Sequence, residues 1–131
     1  MNRARIIAII CVFLAAFCSA ALINTVNASR ELSRMTGEAL ALTNGGSPAE
    51  EDLDALGDKI SELSRAWEQC QPVISTYSRH DELERVSSAV RRLRPLLRSR
   101  KFDELYLTLH ETGDALEHLR STELPTISNI L

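Results

Sequence analysis

A long segment without charges near the N-terminus constrains this chain more than any other feature of its sequence. Between Arg5 and Arg30 there are 24 consecutive uncharged residues, and the run from Ile6 to Ile23 is almost entirely apolar. A helix of about 20 apolar residues is long enough to cross the hydrocarbon core of a bilayer. The sequence therefore predicts a transmembrane helix over residues 6–26.

The charges that flank this segment predict its orientation. Residues 1–5 contain Arg3 and Arg5 and no acid, and positively charged flanks tend to stay in the cytoplasm. We therefore expect a cytoplasmic flank at residues 1–5, a signal anchor in the cell membrane at residues 6–26, and an extracytoplasmic domain at residues 27–131.

Two other interpretations of this segment remain open. Small residues at Ser19, Ala20 and Ala21 suit a signal peptidase, although the apolar run exceeds the usual signal-peptide core of about 7 to 15 residues. Lipoprotein processing at Cys18 would want a small residue before the cysteine, but Phe17 occupies that position. The sequence leaves open whether the anchor is retained or cleaved.

Composition favours one helical domain and argues against a nucleic-acid partner. The chain has 131 residues, which is the size of a single domain. Only 5% of the residues are aromatic, while Leu, Ala, Arg, Glu and Ser dominate, and this balance favours helices over β-sheets. The net charge of −3 is unlike the basic charge that a nucleic-acid-binding domain carries.

Four apolar stripes with alternating spacings of three and four residues predict four amphipathic helices. The stripes comprise Ala28, Leu32, Met35, Ala39 and Leu42; Leu53, Leu56, Ile60, Leu63, Trp67 and Cys70; Leu83, Val86, Val90, Leu93 and Leu97; and Phe102, Leu105, Leu109, Thr112, Leu116 and Leu119. Short connections make sequential helices antiparallel neighbours. The predicted fold is therefore all-α: an N-terminal transmembrane helix followed by an antiparallel up-down-up-down helical bundle.

Local signals predict where these helices start and stop. Asn44 and the two glycines after it end the first helix, and Ser47 and Glu50 form a predicted capping box at the start of the second. Pro72 predicts a kink or a break near residues 70–71, and Pro95 a bend or an end in the third helix.

The basic third helix carries the first candidate site. Residues 79–101 have a net charge of +5, between acidic segments at residues 38–68 and 102–131. Six cations form a candidate patch for an anion or a partner: Arg91, Arg92, Arg94, Arg98, Arg100 and Lys101. The alternative is that they pair with neighbouring acids, since an antiparallel arrangement would set Arg91, Arg92, Arg94 and Arg98 near Glu50, Glu51, Asp52 and Asp54.

Two histidine clusters are weaker candidates. His110, Asp114 and His118 follow one another at intervals of four residues, roughly one helix face, which suits a metal site or a solvated flank. His80 stands before a run of acids that begins at Asp81; it is either a metal or proton site, or the end of one helix with Asp81 capping the next. No catalytic motif occurs, so we predict no enzyme, no catalytic residues and no cofactor.

The three cysteines are too few for a disulfide framework. Cys11 and Cys18 lie on one face of the predicted membrane helix, and Cys70 is alone in the rest of the chain. Cys70 is expected to be a buried thiol, with an intermolecular disulfide as the alternative. Trp67 and Tyr77 are interpreted as core aromatics.

The layout resembles an uncharacterised bacterial family, domain of unknown function 4363. The features are the basic N-terminus and anchor, a helix containing Trp67, the stretches Ser78–Leu83 and Leu116–Leu119, and the terminal Asn129–Leu131. Pro95 departs from the continuous third helix of the family. The resemblance implies a small single-pass membrane protein, working beside a multi-pass membrane protein, and implies no activity.

These observations together predict a membrane-anchored extracytoplasmic bundle that serves as a non-enzymatic accessory or interaction module. The alternative is an extracytoplasmic module that binds or senses an anion at Arg91–Lys101, or a metal at His110, Asp114 and His118. The sequence does not define the partner or the oligomeric state.

Overall fold

The computed structural model of the protein describes residues 2–75 and 78–123, and this part of the chain is all-α, as predicted. Four helices follow one another along the chain: α1, Arg3–Leu42; α2, Leu53–Ile74; α3, His80–Arg98; and α4, Phe102–Glu123. A short 3₁₀ turn at Glu50–Asp52 precedes α2.

The helices form a four-helix bundle in which each packs against its two neighbours. α1 packs on α2 and α4, α2 on α3, and α3 on α4. Neighbouring helices run in opposite directions, as the pairing of Arg92 with Glu111 and of Glu82 with His118 shows for α3 and α4. The pairs Trp67–Ser87 and Ser61–Arg94 show the same for α2 and α3, and the approach of Gly113 to Thr36 and of Asp103 to Gly46 shows it for α4 and the α1 end. These pairs confirm the antiparallel up-down-up-down order.

α1 belongs to two environments along its 40 residues. At 1.5 Å per residue it is about 60 Å long, and every side chain from residue 2 to residue 20 is exposed. From Thr25 onward, one face of the same helix is buried against the bundle. The predicted transmembrane segment and the first bundle helix are therefore a single continuous helix.

The buried face of α1 differs from the predicted stripe. Leu32 and Ala39 are buried as expected, whereas the other three predicted positions, Ala28, Met35 and Leu42, are half-buried at the margin. Their places at the centre are taken by hydroxyl residues: Thr25, Ser29, Thr36 and Thr43.

Hydrogen bonds within α1 explain how threonines occupy the buried face. The Thr25 hydroxyl donates to the Ala21 carbonyl at 2.9 Å, and the Thr36 hydroxyl donates to the Leu32 carbonyl at 2.8 Å. A buried hydroxyl is costly only when it lacks a partner. The oxygen of each threonine is therefore satisfied by its own helix, and the Thr36 methyl group faces Gly113 of α4.

The predicted capping box at the start of α2 is wrong. The chain enters the 3₁₀ turn from Ala49, and no side chain caps either the turn or α2. The expected end of the first helix is confirmed: Asn44, Gly45 and Gly46 all adopt positive φ angles, which glycine tolerates most readily.

Both internal prolines lie within helices, so the predicted break near residues 70–71 is wrong. α2 runs through Pro72 to Ile74, and α3 runs through Pro95 to Arg98. Each proline lies within the last turn of its helix. There it removes only one backbone hydrogen bond, and few helical residues follow it. A serine then donates to the proline carbonyl at each helix end, Ser75 at 2.7 Å and Ser99 at 2.8 Å.

The start of α3 also corrects the sequence analysis. His80 is the first residue of α3 and does not end the preceding helix. Arg79 occupies the N-cap position without a side-chain cap, and Asp81 lies in the first turn. Acids in the first turn still favour the helix, because its N-terminal end carries partial positive charge. Tyr77 lies outside the described residues.

Candidate functional site

A groove of about 520 Å³ lies between α2 and α3 in the described part of the chain. Its α2 side carries Ser64, Trp67, Glu68 and Gln71. Its α3 side carries three of the six predicted cations: Arg91, Arg94 and Arg98. These arginines share the groove because spacings of three and four residues lie on one helix face.

Trp67 lies at the bottom of this groove. Its side chain is only 3% exposed, which confirms that it is a core residue. The indole N–H donates to the Ser87 hydroxyl of α3 at 2.9 Å. This bond satisfies a buried donor and links the two walls of the groove, but the sequence pattern did not single out Ser87.

The arginines do not take the predicted partners on α2. Arg91 pairs with Glu84 of its own helix at 2.6 Å, and Arg94 donates to the Ser61 hydroxyl at 3.1 Å. The register explains the difference: because Trp67 lies opposite Ser87, Arg91 faces the middle of α2 and not its first turn.

The remaining three cations of the predicted patch lie elsewhere. Arg92 points to α4 and pairs with Glu111 at 2.8 Å, while Arg100 pairs with Glu50 at 3.2 Å. Arg100 thus meets one of the four predicted acids, although it was not one of the arginines expected there. Lys101 begins the turn into α4 and has no ion pair within the described residues. The six cations therefore do not form one surface.

The three candidate metal ligands line one shallow depression of about 470 Å³ on α4. His118 is engaged with α3, where its Nε2 lies 3.0 Å from Glu82 Oε1. His110 stacks edge-on against Tyr106, with ring centroids 4.6 Å apart. Within residues 2–75 and 78–123, no three His, Cys, Asp or Glu side chains are placed to hold a metal ion.

The cysteines occupy two different environments. Cys11 and Cys18 are exposed on the apolar half of α1. Cys70 is half-buried and packs against the core, so it is less buried than predicted, and its burial raises the pKa of the thiol. A raised thiol pKa leaves less of the reactive thiolate at neutral pH.

An ion-pair network joins α1 to α2, and the sequence analysis missed it. Arg34 pairs with Glu31 and Glu38, and Lys59 of α2 reaches Glu38 at 2.6 Å. The hydrogen bond from Lys59 holds the pKa of Glu38 below its usual value of 4.5. The hydrogen bond from Arg34 likewise lowers the pKa of Glu31. Charges three and four apart on α1 were visible in the sequence, but Lys59 enters only through packing.

The apolar half of α1 is the largest exposed hydrophobic surface in the described residues. Its exposed large side chains are Ile6, Ile7, Ile9, Ile10, Val12, Phe13, Leu14, Phe17 and Ile23. α1 is long and apolar enough to cross a membrane, and a signal sequence can have the same length and apolar composition. Outside this segment only two large apolar side chains are comparably exposed in the described part, Val73 and Leu107.

No family model, no curated protein and no solved structure matches this chain. The family resemblance drawn from the sequence therefore stays a prediction.

Proposed function

We propose that the protein is a single-pass membrane protein whose four-helix bundle acts as a non-enzymatic accessory or interaction module outside the cytoplasm. The observation that carries the proposal is the division of α1, fully exposed and apolar over residues 6–20 and buried on one face from Thr25. Large exposed apolar surfaces are found where a membrane or a partner covers them. The bundle then stands on the membrane at the end of a rigid helix.

The proposed orientation follows from charge. Arg3 and Arg5 precede the apolar segment, with no acid beside them, which favours a cytoplasmic N-terminus. The proposed partner is a multi-pass membrane protein, as the resemblance implies, and helix packing within the bilayer would favour the small side chains of α1 such as Cys11 and Cys18.

Extraction of membranes tests the anchor. The full-length protein should stay in the membrane pellet after washing with carbonate or high salt, because its attachment is hydrophobic. N-terminal sequencing of the mature protein distinguishes the alternatives. A soluble product that begins near Ala21 would show a cleaved signal peptide and overturn the anchor.

A second candidate function is anion binding in the groove between α2 and α3. Arg91, Arg94 and Arg98 line one wall of this groove, whose volume lies within the range typical of ligand sites, about 300 to 1,000 Å³. The carboxylates of Glu84 and Glu68 also line it, and Glu84 is paired with Arg91, so three cations outnumber two acids there. Arg98 has no ion pair within the described residues, so its guanidinium is available to a phosphate or carboxylate group.

Thermal unfolding of the detergent-solubilised full chain tests this candidate. Inorganic phosphate should raise the melting temperature, and the double variant Arg94→Gln, Arg98→Gln should abolish the increase. Arg65→Gln is the matched control, because Arg65 is an exposed arginine of α2 outside the groove. An equal increase in all three proteins would contradict a site in the groove.

A further inference from the structure

The exposed side chains of Val73 and Leu107 differ sharply in their position relative to the apolar segment. Val73 is 47% exposed in the last turn of α2, and Leu107 is 65% exposed on α4. Single exposed hydrophobic residues are common and need no explanation by themselves. The two residues differ in their position along the axis of α1.

The ion pair between α1 and α2 places Val73 near the end of the apolar run. Lys59 of α2 pairs with Glu38 of α1 at 2.6 Å, and the two helices are antiparallel. Val73 lies 14 residues beyond Lys59, about 21 Å further along the axis. The same distance back from Glu38 reaches Asn24, directly after Ile23, the last residue of the apolar run.

Contacts between α1 and α4 place Leu107 at the opposite end of the bundle. A Cβ added at Gly113 would lie 3.7 Å from Thr36, and one added at Gly46 would lie 3.1 Å from Asp103. Leu107 is one helical turn beyond Asp103 on α4, so it lies near the end of α1 that is remote from the apolar segment.

We propose that the C-terminal tip of α2, formed by Pro72 and Val73, rests in the interfacial layer of the same bilayer that holds α1. Both residues are exposed, and both stand at the height where the apolar surface of α1 ends. If the hydrocarbon core of a bilayer covers α1 up to Ile23, its interfacial layer lies at the height of Pro72 and Val73. The inference rests on the proposed membrane anchor and deepens it by adding a second contact with lipid.

The second contact restricts the orientation of the bundle. α1 alone permits the bundle to tilt and to rotate about the helix axis, because lipid surrounds a single helix on all sides. A tip that is held in the interface, beside α1, removes part of this freedom. The contribution of one valine to membrane affinity is small compared with that of the whole apolar segment, so its effect is on orientation.

Site-directed fluorescence on the full chain in phosphatidylcholine vesicles tests the proposal. The native Cys11, Cys18 and Cys70 are replaced with Ala, and single cysteines are introduced by Val73→Cys, Leu107→Cys or Phe13→Cys. Each is labelled with a small environment-sensitive fluorophore. Lipids brominated close to the glycerol, or deep in the acyl chain, then report contact by quenching.

We expect the deep bromines to quench the label at position 13 and the shallow bromines to quench the label at position 73. The label at position 107 should keep its full emission with both lipids. Quenching at position 13 without quenching at position 73 would overturn the contact and leave the anchor intact. Absence of quenching at position 13 would overturn the proposed anchor itself.

Labelling at an exposed position of α2 is compatible with folding, and circular dichroism checks this for each protein. Ser75→Cys provides a second position at the same tip, because Ser75 is exposed and directly follows α2. Shallow quenching at both positions supports the proposal, and its absence at both contradicts it.

Discussion

Several polar residues are buried between the helices of this bundle. Thr36 and Thr43 are buried because their hydroxyls bond to carbonyls of α1. Ser29 is also buried, but its hydroxyl has no hydrogen-bond partner in the described structure. Of these three buried hydroxyls, two are therefore satisfied by their own helix and that of Ser29 is not.

The hydrogen bond between Trp67 and Ser87 gives the first prediction. Ser87→Ala leaves the buried indole N–H without its acceptor, and we expect a loss of about 1 to 3 kcal/mol in the free energy of unfolding. Denaturant unfolding measures this loss. Ser88→Ala is the control, because Ser88 is exposed on the same helix. Similar small effects in both variants would mean that the bond contributes little.

Two glycines should respond in opposite directions to the same substitution. Gly37 lies within α1, and a Cβ added there would meet no atom within 4 Å, so Gly37→Ala should stabilise the protein by about 0.5 to 1 kcal/mol. Gly46 has a φ of +100°, and an added Cβ would lie 3.1 Å from Asp103. Gly46→Ala should therefore lower the melting temperature. A thermal scan of both variants checks the signs.

At the scale of elements, the long stripe of α2 forms the centre of the core. Leu56, Ile60 and Leu63 are almost completely buried. Leu63→Ala should cost about 2 to 5 kcal/mol in the free energy of unfolding, because it removes packed atoms and leaves a cavity. Glu62→Ala, one residue away on the exposed side, should change little. Equal small losses would show that the stripe does not face the core.

The ion pair between α1 and α2 predicts a dependence of stability on pH. Because the folded protein holds the pKa of Glu38 below 4.5, the unfolded chain binds more protons as the pH falls. The stabilisation is present above about pH 5 and is lost as the pH decreases through the folded pKa.

Denaturant unfolding at neutral pH and near pH 3 checks this dependence. Lys59→Met removes the main cause of the low pKa and should reduce the loss of stability at acidic pH. Lys101→Met is the control, since Lys101 has no ion pair within the described residues. A pH dependence that is unchanged by Lys59→Met would exclude this pair as its source.

At the scale of the whole molecule, α1 is the element that connects the bundle to the apolar segment. The chain from Asn24 onward keeps every residue of α1 that is buried among the described side chains, whereas the chain from Ser47 onward lacks α1 entirely. We expect the longer fragment to be soluble, monomeric and helical, because the largest apolar surface has been removed. The shorter fragment should lose cooperative unfolding or aggregate.

Circular dichroism and size-exclusion chromatography of the two fragments measure these outcomes. If the fragment from Ser47 unfolds as cooperatively as the fragment from Asn24, α1 is not part of the stabilising core. If the fragment from Asn24 fails to fold while the full chain is folded in detergent, the apolar segment contributes to the bundle itself.

The helices of this protein follow from local patterns in its sequence. Helical periodicity and apolar length are local properties, so the four helices, the continuous apolar run and the burial of Leu63 and Trp67 could be read directly. The three groove arginines were among the six cations recognised as candidates, because those cations cluster within eleven residues of the sequence; the structure then placed only these three in the groove.

Packing between the helices sets which of these residues meet, because register depends on contacts between segments that are distant in the chain. It put Trp67 against Ser87 and so moved Arg91 and Arg94 away from the acids predicted for them. Pro72 and Pro95 both lie within helices that bury one face against neighbouring helices. Packing also placed the tip of α2 near the end of the apolar run, since the packing of α2 on α1, marked by the pairing of Lys59 with Glu38, sets that height.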